Sequence, residues 1–197
     1  NFQDYMSCVS VNDAMKTKEL GVHNDMNQPL THYYIASSHN TYLESDQLAS
    51  NSSTDRYMQD LCNNCRCVEL DCWDGENDEP VITHGGTYTG KITFRDTIDA
   101  IDKNAFKESP YPVILSIEQH CSLKQQEIQV QIMRDVFKNK LLDASKETMK
   151  SLPSPNQLKY KIILKGKRNL TDIETHDEED IEAEEEALRE LTKRRGS

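Results

Sequence analysis

Short apolar runs alternate with longer amphipathic stretches between residues 29 and 170, and this alternation dominates the pattern of the chain. The runs predict five short strands, at residues 32–37, 66–71, 80–83, 111–118 and 160–164. The run at 111–118 is almost continuously apolar, which is typical of a strand buried on both faces.

The stretches between these strands carry helical spacing. One apolar stripe consists of Phe94, Ile98, Ile101 and Ala105, and a second consists of Val130, Met133, Phe137 and Leu141. The polar cluster at 52–55 is suited to cap a further helix that runs to about residue 63. Strands that alternate with helices predict βα units and a parallel sheet, open or closed into a barrel. Five strands are too few for an eight-stranded barrel, so the remaining three would come from elsewhere.

Polar and charged side chains gather at or just past the ends of the predicted strands. In a (β/α) barrel the carboxyl ends of the strands meet at one rim, where the active site lies. The pattern therefore predicts a shared site at that rim. The candidate residues are His39, Asn40, Glu69, Asp71, His84, Glu118, Lys165 and Lys167.

The segment at 67–75 places two carboxylates two residues apart within an apolar run. Alternate residues of a strand share a face, so Glu69 and Asp71 point the same way. Two like charges in a partly buried place repel each other, and they favour a bound cation. With Asn40 and Glu118 they form an oxygen donor set that suits Ca²⁺ better than Mg²⁺ or zinc. The alternative is that each carboxylate pairs with a basic residue such as Arg66.

Two histidines and two lysines add candidate chemistry to this rim. Near neutral pH an imidazole can give a proton to a leaving oxygen or hydrogen-bond a phosphoryl group, so His39 and His84 favour phosphoester chemistry. Lys165 and Lys167 flank Gly166, so both ammonium groups could reach one anionic ligand. The alternatives are ordinary hydrogen-bonding loop histidines and exposed lysines at a strand end.

The acidic charge of the chain is concentrated near its end. The net charge is −11 over 197 residues, and residues 171–197 alone carry 11 acidic against 4 basic side chains. No basic footprint for nucleic-acid binding is present. No apolar run reaches the length of a transmembrane helix, so contact with a membrane is expected to be peripheral. We find no secretory signal pattern, which predicts a cytoplasmic protein, and the sequence is expected to be a fragment.

Two other motifs suggest different chemistry. The run Cys62, Cys65, Cys67 and Cys72 lacks the separated second pair of a zinc ribbon, so we expect buried, reduced thiols rather than a metal or disulfides. The sequence at 85–91 nearly matches a phosphate-binding P-loop. Ile92 stands where that motif needs Ser or Thr for Mg²⁺, so nucleotide binding is not expected.

Several longer motifs, in order, resemble the X-region of eukaryotic phosphoinositide-specific phospholipase C, the first half of its catalytic barrel. They are Ser38-His-Asn-Thr-Tyr-Leu43, Cys65-Arg-Cys-Val-Glu-Leu-Asp-Cys-Trp-Asp-Gly75, Ser109-Pro-Tyr-Pro-Val-Ile-Leu-Ser-Ile-Glu118, Leu152-Pro-Ser-Pro155 and Leu164-Lys-Gly-Lys167. The resemblance implies an α/β fold that is the N-terminal half of a TIM-like (β/α) barrel, incomplete without the Y-region.

The resemblance also assigns residues and boundaries. It implies that Asn40, Glu69, Asp71 and Glu118 hold Ca²⁺, that His39 and His84 are catalytic, and that Lys165 and Lys167 bind the ring phosphates. Residues 1–28 would be the tail of a preceding EF-hand-like region, 29–170 the X-region, and 171–197 the acidic X/Y linker, mostly disordered or nascent helix. The residue after Gly85 is often aromatic in the family, whereas this chain has Gly86.

The implied reaction is calcium-dependent hydrolysis of phosphatidylinositol 4,5-bisphosphate at the inner face of the plasma membrane, in intracellular signalling. The inositol 2-hydroxyl attacks phosphorus, diacylglycerol leaves, and water opens the cyclic phosphate to inositol 1,4,5-trisphosphate. Three alternatives stay open, and one of them is an inactive fragment that lacks the Y half. A silent phosphoinositide-binding scaffold would tend to lose a catalytic histidine, and a phosphodiesterase for soluble glycerophosphodiesters would have little use for Lys165 and Lys167.

Overall fold

A computed structural model of the chain describes residues 21–143 and 152–166. Within these residues the strands are β1 (Cys67–Trp73), β2 (Val81–Ile82), β3 (Ile92–Thr93), β4 (Val113–Gln119) and β5 (Ile162–Gly166). The α-helices are α1 (Asp55–Cys62), α2 (Phe94–Asn104) and α3 (Leu123–Phe137). Short 3₁₀ helices lie at Leu30–His32, Glu76–Asp78 and Lys138–Lys140.

The strands form one mixed sheet in the order β3-β2-β1-β4-β5. Strands β1 and β4 are parallel, whereas β2 runs antiparallel to both β1 and β3. The predicted α/β class is confirmed, but the predicted parallel direction of the strand at 80–83 is wrong. Only residues 74–80 separate β1 from β2. A parallel crossover needs about a dozen residues or more, so this short connection enforces a turn back.

The prediction of a continuous strand at 32–37 is wrong. A 3₁₀ helix occupies Leu30–His32, and only Ser37 forms an isolated parallel bridge, to Cys67. The backbone nonetheless follows the start of β1, because the Arg66 amide donates to the Ala36 carbonyl at 2.9 Å. Strand β3 was not predicted, since two residues are too few to show an alternating pattern.

Helix α2 confirms the predicted apolar stripe. Phe94, Ile98 and Ile101, and Ala105 just past the helix end, are completely buried. The helix begins at a capped turn, where the Thr93 side chain accepts a hydrogen bond from the Asp96 amide. These residues join the core beneath the sheet, where α2 packs against both α1 and α3.

Helix α3 departs from its predicted stripe at two positions. It ends at Phe137, so Leu141 lies beyond it and forms an isolated parallel bridge to Ile162. Met133 and Phe137 are buried as expected, but Val130 is exposed. The buried face instead includes Gln125, whose side-chain amide accepts from the Gly75 amide at 3.0 Å and donates to the Gly75 carbonyl at 2.8 Å. Because both halves of that amide are paired, a polar side chain occupies a core position that the hydrophobic pattern could not reveal.

Strand β4 is buried on one face, not on both as predicted. Val113 and Leu115 are fully buried against the core, and Ile117 on the same face packs against it, whereas Ile114 and Ser116 on the other face are only partly covered by the described residues. Since alternate residues of a strand face opposite sides, the second face of the sheet is partly open. This partly open face carries the site described below.

The described cysteines are free thiols. Cys72 and Cys121 are buried, whereas Cys62, Cys65 and Cys67 are half-buried, so the expectation of buried thiols holds for only part of the set. No described helix has the length and the apolar composition needed to span a bilayer. The predicted linker at 171–197 lies outside the described residues, and the predicted domain boundaries stay predictions.

Candidate active site

The register between β1 and β4 assembles a cluster of three carboxylates. Glu69 and Asp71 lie on the same face of β1, and Glu118 is the register partner of Asp71 on β4. One oxygen from each side chain lies within 4.8 Å of the others. The structure thus brings these three predicted ligands together.

The loop at 38–42 is bonded to this cluster. The Asn40 backbone amide donates to Glu69 Oε2 at 2.7 Å, and the Tyr42 hydroxyl donates to Asp71 Oδ2 at 2.6 Å. Asn40 has a φ of +46°, in the left-handed region that asparagine tolerates better than most residues. In return, the Glu69 amide donates to Thr41 Oγ1 at 3.0 Å. The loop is therefore held at the edge of the carboxylate cluster.

The electrostatics of Asp71 favour a cation. Burial, together with repulsion from Glu69 and Glu118, raises the pKa of Asp71, even though the hydrogen bond from Tyr42 acts to lower it. Its Oδ1 atom is buried and has no hydrogen-bond partner among the described residues. A buried carboxylate oxygen without a donor is costly, and a cation would stabilise it.

Asn40 is also able to supply an oxygen. Its side-chain nitrogen has no partner among the described residues, while its oxygen lies 3.3 Å from the Tyr42 hydroxyl. The single hydrogen of that hydroxyl is used by Asp71, which is closer. Turning the amide by 180° lets its NH₂ donate to Tyr42 and frees its oxygen as a ligand. The donor set then consists of three carboxylates and one amide, which suits Ca²⁺.

Both predicted histidines line the same cleft, which has a volume of about 460 Å³. His39 is 73% exposed, and its Nε2 lies 3.8 Å from Glu69 Oε2. His84 is half-buried, and its Nδ1 lies 2.8 Å from the Gln47 carbonyl. A carbonyl only accepts, so Nδ1 carries a proton and Nε2 is the atom left to exchange one. The full lining is His39, Asn40, Asp71, Trp73, His84, Gly85, Gly86, Glu118 and His120.

The loop that carries His84 is fixed from two sides. The Thr83 amide donates to the Asp71 carbonyl at 3.2 Å, and Thr87 Oγ1 donates to the His84 carbonyl at 2.7 Å. A Cβ atom at Gly85 would lie 2.0 Å from Cζ2 of Trp73, so only glycine lets the loop pack on that ring. This packing holds His84 in the cleft, beside Asp71.

Lys165 faces the same side of the sheet as the carboxylates. Its Nζ donates to Ser116 Oγ at 3.3 Å, and Ser116 is the register partner of Glu69. An ammonium group therefore lies one strand beyond the acidic cluster, where it could bind an anionic part of a ligand. Lys167, the other predicted phosphate-binding residue, lies outside the described residues.

Three residues of this site were missed in the sequence. Tyr42 bonds Asp71, His120 bonds Glu118, and Trp73 stacks on His120. Tyr42 lies two residues after a predicted ligand, and so does His120, so a search for polar neighbours at that spacing would have found both. Trp73 gave no such signal, since a tryptophan at a strand end is ordinarily a packing residue.

Comparison with known proteins identifies the family. The family model described as "Phosphatidylinositol-specific phospholipase C, X domain" matches residues 26–168, which is most of the chain. The chain belongs to this family. The resemblance seen in the sequence motifs is confirmed, and the five strands are those of an X domain whose sheet is open within the described residues.

The relatives of this X domain are named as phosphodiesterases. The 1-phosphatidylinositol 4,5-bisphosphate phosphodiesterase delta-1 of Rattus norvegicus is 57% identical over 148 residues, covering 75% of this chain and 20% of the relative. The eta-2 enzyme of Homo sapiens is 49% identical over 181 residues, covering 91% of this chain and 13% of the relative. The chain thus spans about a fifth or less of the length of these relatives.

Solved structures agree with this assignment. PLC21 of S. officinalis has a TM-score of 0.75 and 38% identity, over 94% of this chain and 24% of that chain. The phosphatidylinositol-specific phospholipase C from Listeria monocytogenes has a TM-score of 0.52 and 16% identity, over 74% of this chain and 55% of that chain. The second similarity shows a shared fold alone.

Proposed function

We propose that this X domain supplies the first half of the active site of a calcium-dependent phosphoinositide phospholipase C. The substrate would be phosphatidylinositol 4,5-bisphosphate, the substrate that appears in the names of its relatives. The observation that carries the proposal is the convergence of three carboxylates and two histidines on one face of the sheet. That combination is suited to phosphoester cleavage with a bound cation.

Calcium is the cofactor that the donor set supports best. Asn40, Glu69, Asp71 and Glu118 would hold the ion, and the unpartnered oxygen of Asp71 supports this assignment. When bound, Ca²⁺ supplies a positive charge that lowers the pKa of the attacking hydroxyl and balances charge at phosphorus. The residues themselves orient the ligand oxygens and leave one side of the cleft open to substrate.

The two histidines would act on different oxygens of the phosphodiester. His84 is the proposed acid toward the glycerol oxygen, because Gln47 holds its Nδ1 and leaves Nε2 to transfer the proton. His39 is more exposed and would donate a hydrogen bond to a phosphoryl oxygen as charge develops there. Glu69 or Asp71 is the proposed base for the 2-hydroxyl, whose attack gives the cyclic phosphate that water then opens.

Hydrolysis of labelled phosphatidylinositol 4,5-bisphosphate, with and without a chelator, tests the function. The assay uses the natural full-length protein that carries this chain and measures release of inositol 1,4,5-trisphosphate. We expect turnover that stops on chelation and returns with added Ca²⁺. Binding without turnover would favour the scaffold, and turnover of soluble glycerophosphodiesters instead of the lipid would favour the other phosphodiesterase. Turnover that survives chelation would contradict the proposed mechanism.

Lys165 provides a test of headgroup selection. Replacing it with methionine keeps most of the length of the side chain and removes the charge next to Ser116. A charge-assisted hydrogen bond contributes about 1.5–3 kcal/mol, so kcat/KM for phosphatidylinositol 4,5-bisphosphate should fall by about 10- to 100-fold. Hydrolysis of unphosphorylated phosphatidylinositol should change little. Equal losses on both lipids would contradict a role in binding the ring phosphates.

Peripheral contact with a membrane, at the cytoplasmic face, is part of the same proposal. Tyr88 is 95% exposed, and Leu48 is also highly exposed. The two are joined by a backbone hydrogen bond from the Tyr88 amide to the Leu48 carbonyl at 3.0 Å, next to the Gln47 carbonyl that holds His84. An exposed apolar pair beside the cleft is suited to enter the lipid interface.

Replacing Tyr88 with serine should weaken binding to phospholipid vesicles by about 10- to 100-fold, since burying an aromatic side chain contributes about 1.5–3 kcal/mol. Cosedimentation with vesicles measures the effect. Hydrolysis of a soluble, short-chain substrate should be unchanged, because Tyr88 does not line the cleft. Tyr34 is as exposed but lies near the start of β1, so Tyr34→Ser is the matched control. Equal vesicle binding by both variants and the wild type would contradict the proposal that Tyr88 and Leu48 contact the membrane.

The second half of the barrel is the remaining proposed partner. The partly open face of β4, where Ile114 and Ser116 are only half-buried, supports the prediction that a Y-region completes the site. The role of the acidic segment at 171–197 as a linker stays a prediction.

A further inference from the structure

His120 has no part in the proposed chemistry, although it lines the same cleft as His39 and His84. Its Nε2 lies 2.9 Å from Oε1 of Glu118, the carboxylate that β4 contributes to the acidic cluster. A carboxylate oxygen can only accept, so Nε2 must carry the proton in this contact. The bond thus occupies Oε1 of Glu118 and leaves Oε2 available to a cation.

The imidazole is itself held in place. Its ring stacks on the indole of Trp73 with a centroid separation of 4.1 Å and an interplanar angle of 14°. Its backbone amide donates to the Cys72 carbonyl at 2.9 Å, which ties it to the end of β1. Two independent contacts therefore set the direction in which Nε2 donates.

The same arrangement recurs at the other two carboxylates. Glu69 accepts from the Asn40 amide through Oε2, and Asp71 accepts from the Tyr42 hydroxyl through Oδ2. Each of the three carboxylates therefore has one oxygen bound to a donor from the chain. Their second oxygens, including the unpartnered Oδ1 of Asp71, are left to a cation. In this pattern His120 is the counterpart of Tyr42.

We propose that His120 is a positioning residue for the cation site: stacked on Trp73, it orients the Glu118 carboxylate through Nε2. This inference rests on the proposed function, in which Glu118 is a ligand. Glu118 needs such support, because its side chain is 46% exposed and would otherwise sample several rotamers in water. Removing a hydrogen-bond partner of a metal ligand typically lowers metal affinity by about 10- to 100-fold.

Two variants separate the hydrogen bond from the stacking. His120→Phe keeps a ring against Trp73 but removes the donor, whereas His120→Gln removes the ring but keeps an N–H near the position of Nε2. Calcium binding is measured by titration calorimetry on the natural full-length protein that carries this chain, at constant pH. We expect His120→Phe to weaken Ca²⁺ binding by about 10- to 100-fold and His120→Gln to weaken it by about threefold.

The control is His32→Phe, since His32 is exposed and does not line the active-site cleft. Thermal unfolding of the calcium-free proteins should be the same for His120→Phe, His32→Phe and the wild type, which separates positioning from folding. Calcium binding by His120→Phe that equals the wild type would overturn the role of His120 and leave the proposed function intact. A wild type that binds no Ca²⁺ would overturn the proposed metal site and this role together.

Discussion

Replacing Asp71 with asparagine is expected to lower the rate of phosphatidylinositol 4,5-bisphosphate hydrolysis by about 10²–10³-fold, the loss typical when one group that stabilises developing charge is removed. Asparagine has nearly the same shape and can still accept the hydrogen bond from Tyr42, so the fold should persist. The substitution removes the negative charge next to Glu69 and Glu118. It also removes the charge on the buried, unpartnered Oδ1, the oxygen that a cation would stabilise.

The measurement is the initial rate as a function of Ca²⁺ concentration, together with direct titration of Ca²⁺ binding. Both the rate at saturating lipid and the affinity for Ca²⁺ should fall. Glu127→Gln is the matched control, since Glu127 is an exposed carboxylate on α3. If Asp71→Asn bound and used Ca²⁺ as well as the wild type, the acidic cluster would not be the metal site.

Substitution of His84 by alanine is expected to lower kcat by about 10²–10⁴-fold, the usual contribution of a general acid or base. Its Nδ1 is bound to the Gln47 carbonyl, so the ring is held with Nε2 available to protonate the departing glycerol oxygen. Without that proton, the leaving group must depart as an alkoxide, which is a poor leaving group.

A substrate with a better leaving group distinguishes the loss of a general acid from general damage to the active site. An aryloxide leaves an inositol phosphodiester readily without being protonated. His84→Ala should therefore lose far less activity on an aryl ester of inositol phosphate than on the natural lipid. His39→Ala should lose similar factors on both substrates, because a donor to the phosphoryl oxygens serves either leaving group. If His39→Ala showed the selective loss, the two histidine roles would be exchanged.

The strands at the centre of the site were predictable because their pattern is local. The alternation in β1 predicted Glu69 and Asp71 on one face, and both lie in the acidic cluster. It placed Val68 and Leu70 on the opposite face, and both are completely buried. The stripe of α2 followed from spacing in the same way. In these elements burial is decided by a repeat within a few residues, which the sequence displays directly.

Other features depend on partners distant in the chain, and there the sequence was insufficient. Val130 fits an apolar stripe but is exposed, while Gln125 is buried because both ends of its amide bond to Gly75. The reversal of β2 and the weak pairing at Ser37 likewise arise from how segments meet. Propensity and period carry no information about such contacts.

The amino-acid sequence by itself determined the family, the α/β class and the identity of the clustered acids and histidines, because these are written in short motifs and strand periodicity. Tertiary structure alone decided which atoms meet: the register of β1 on β4 pairs Asp71 with Glu118, and folding brings donors to one oxygen of each carboxylate. The physical reason is that a hydrogen bond depends on distances of tenths of an ångström, which are set only when remote segments pack together.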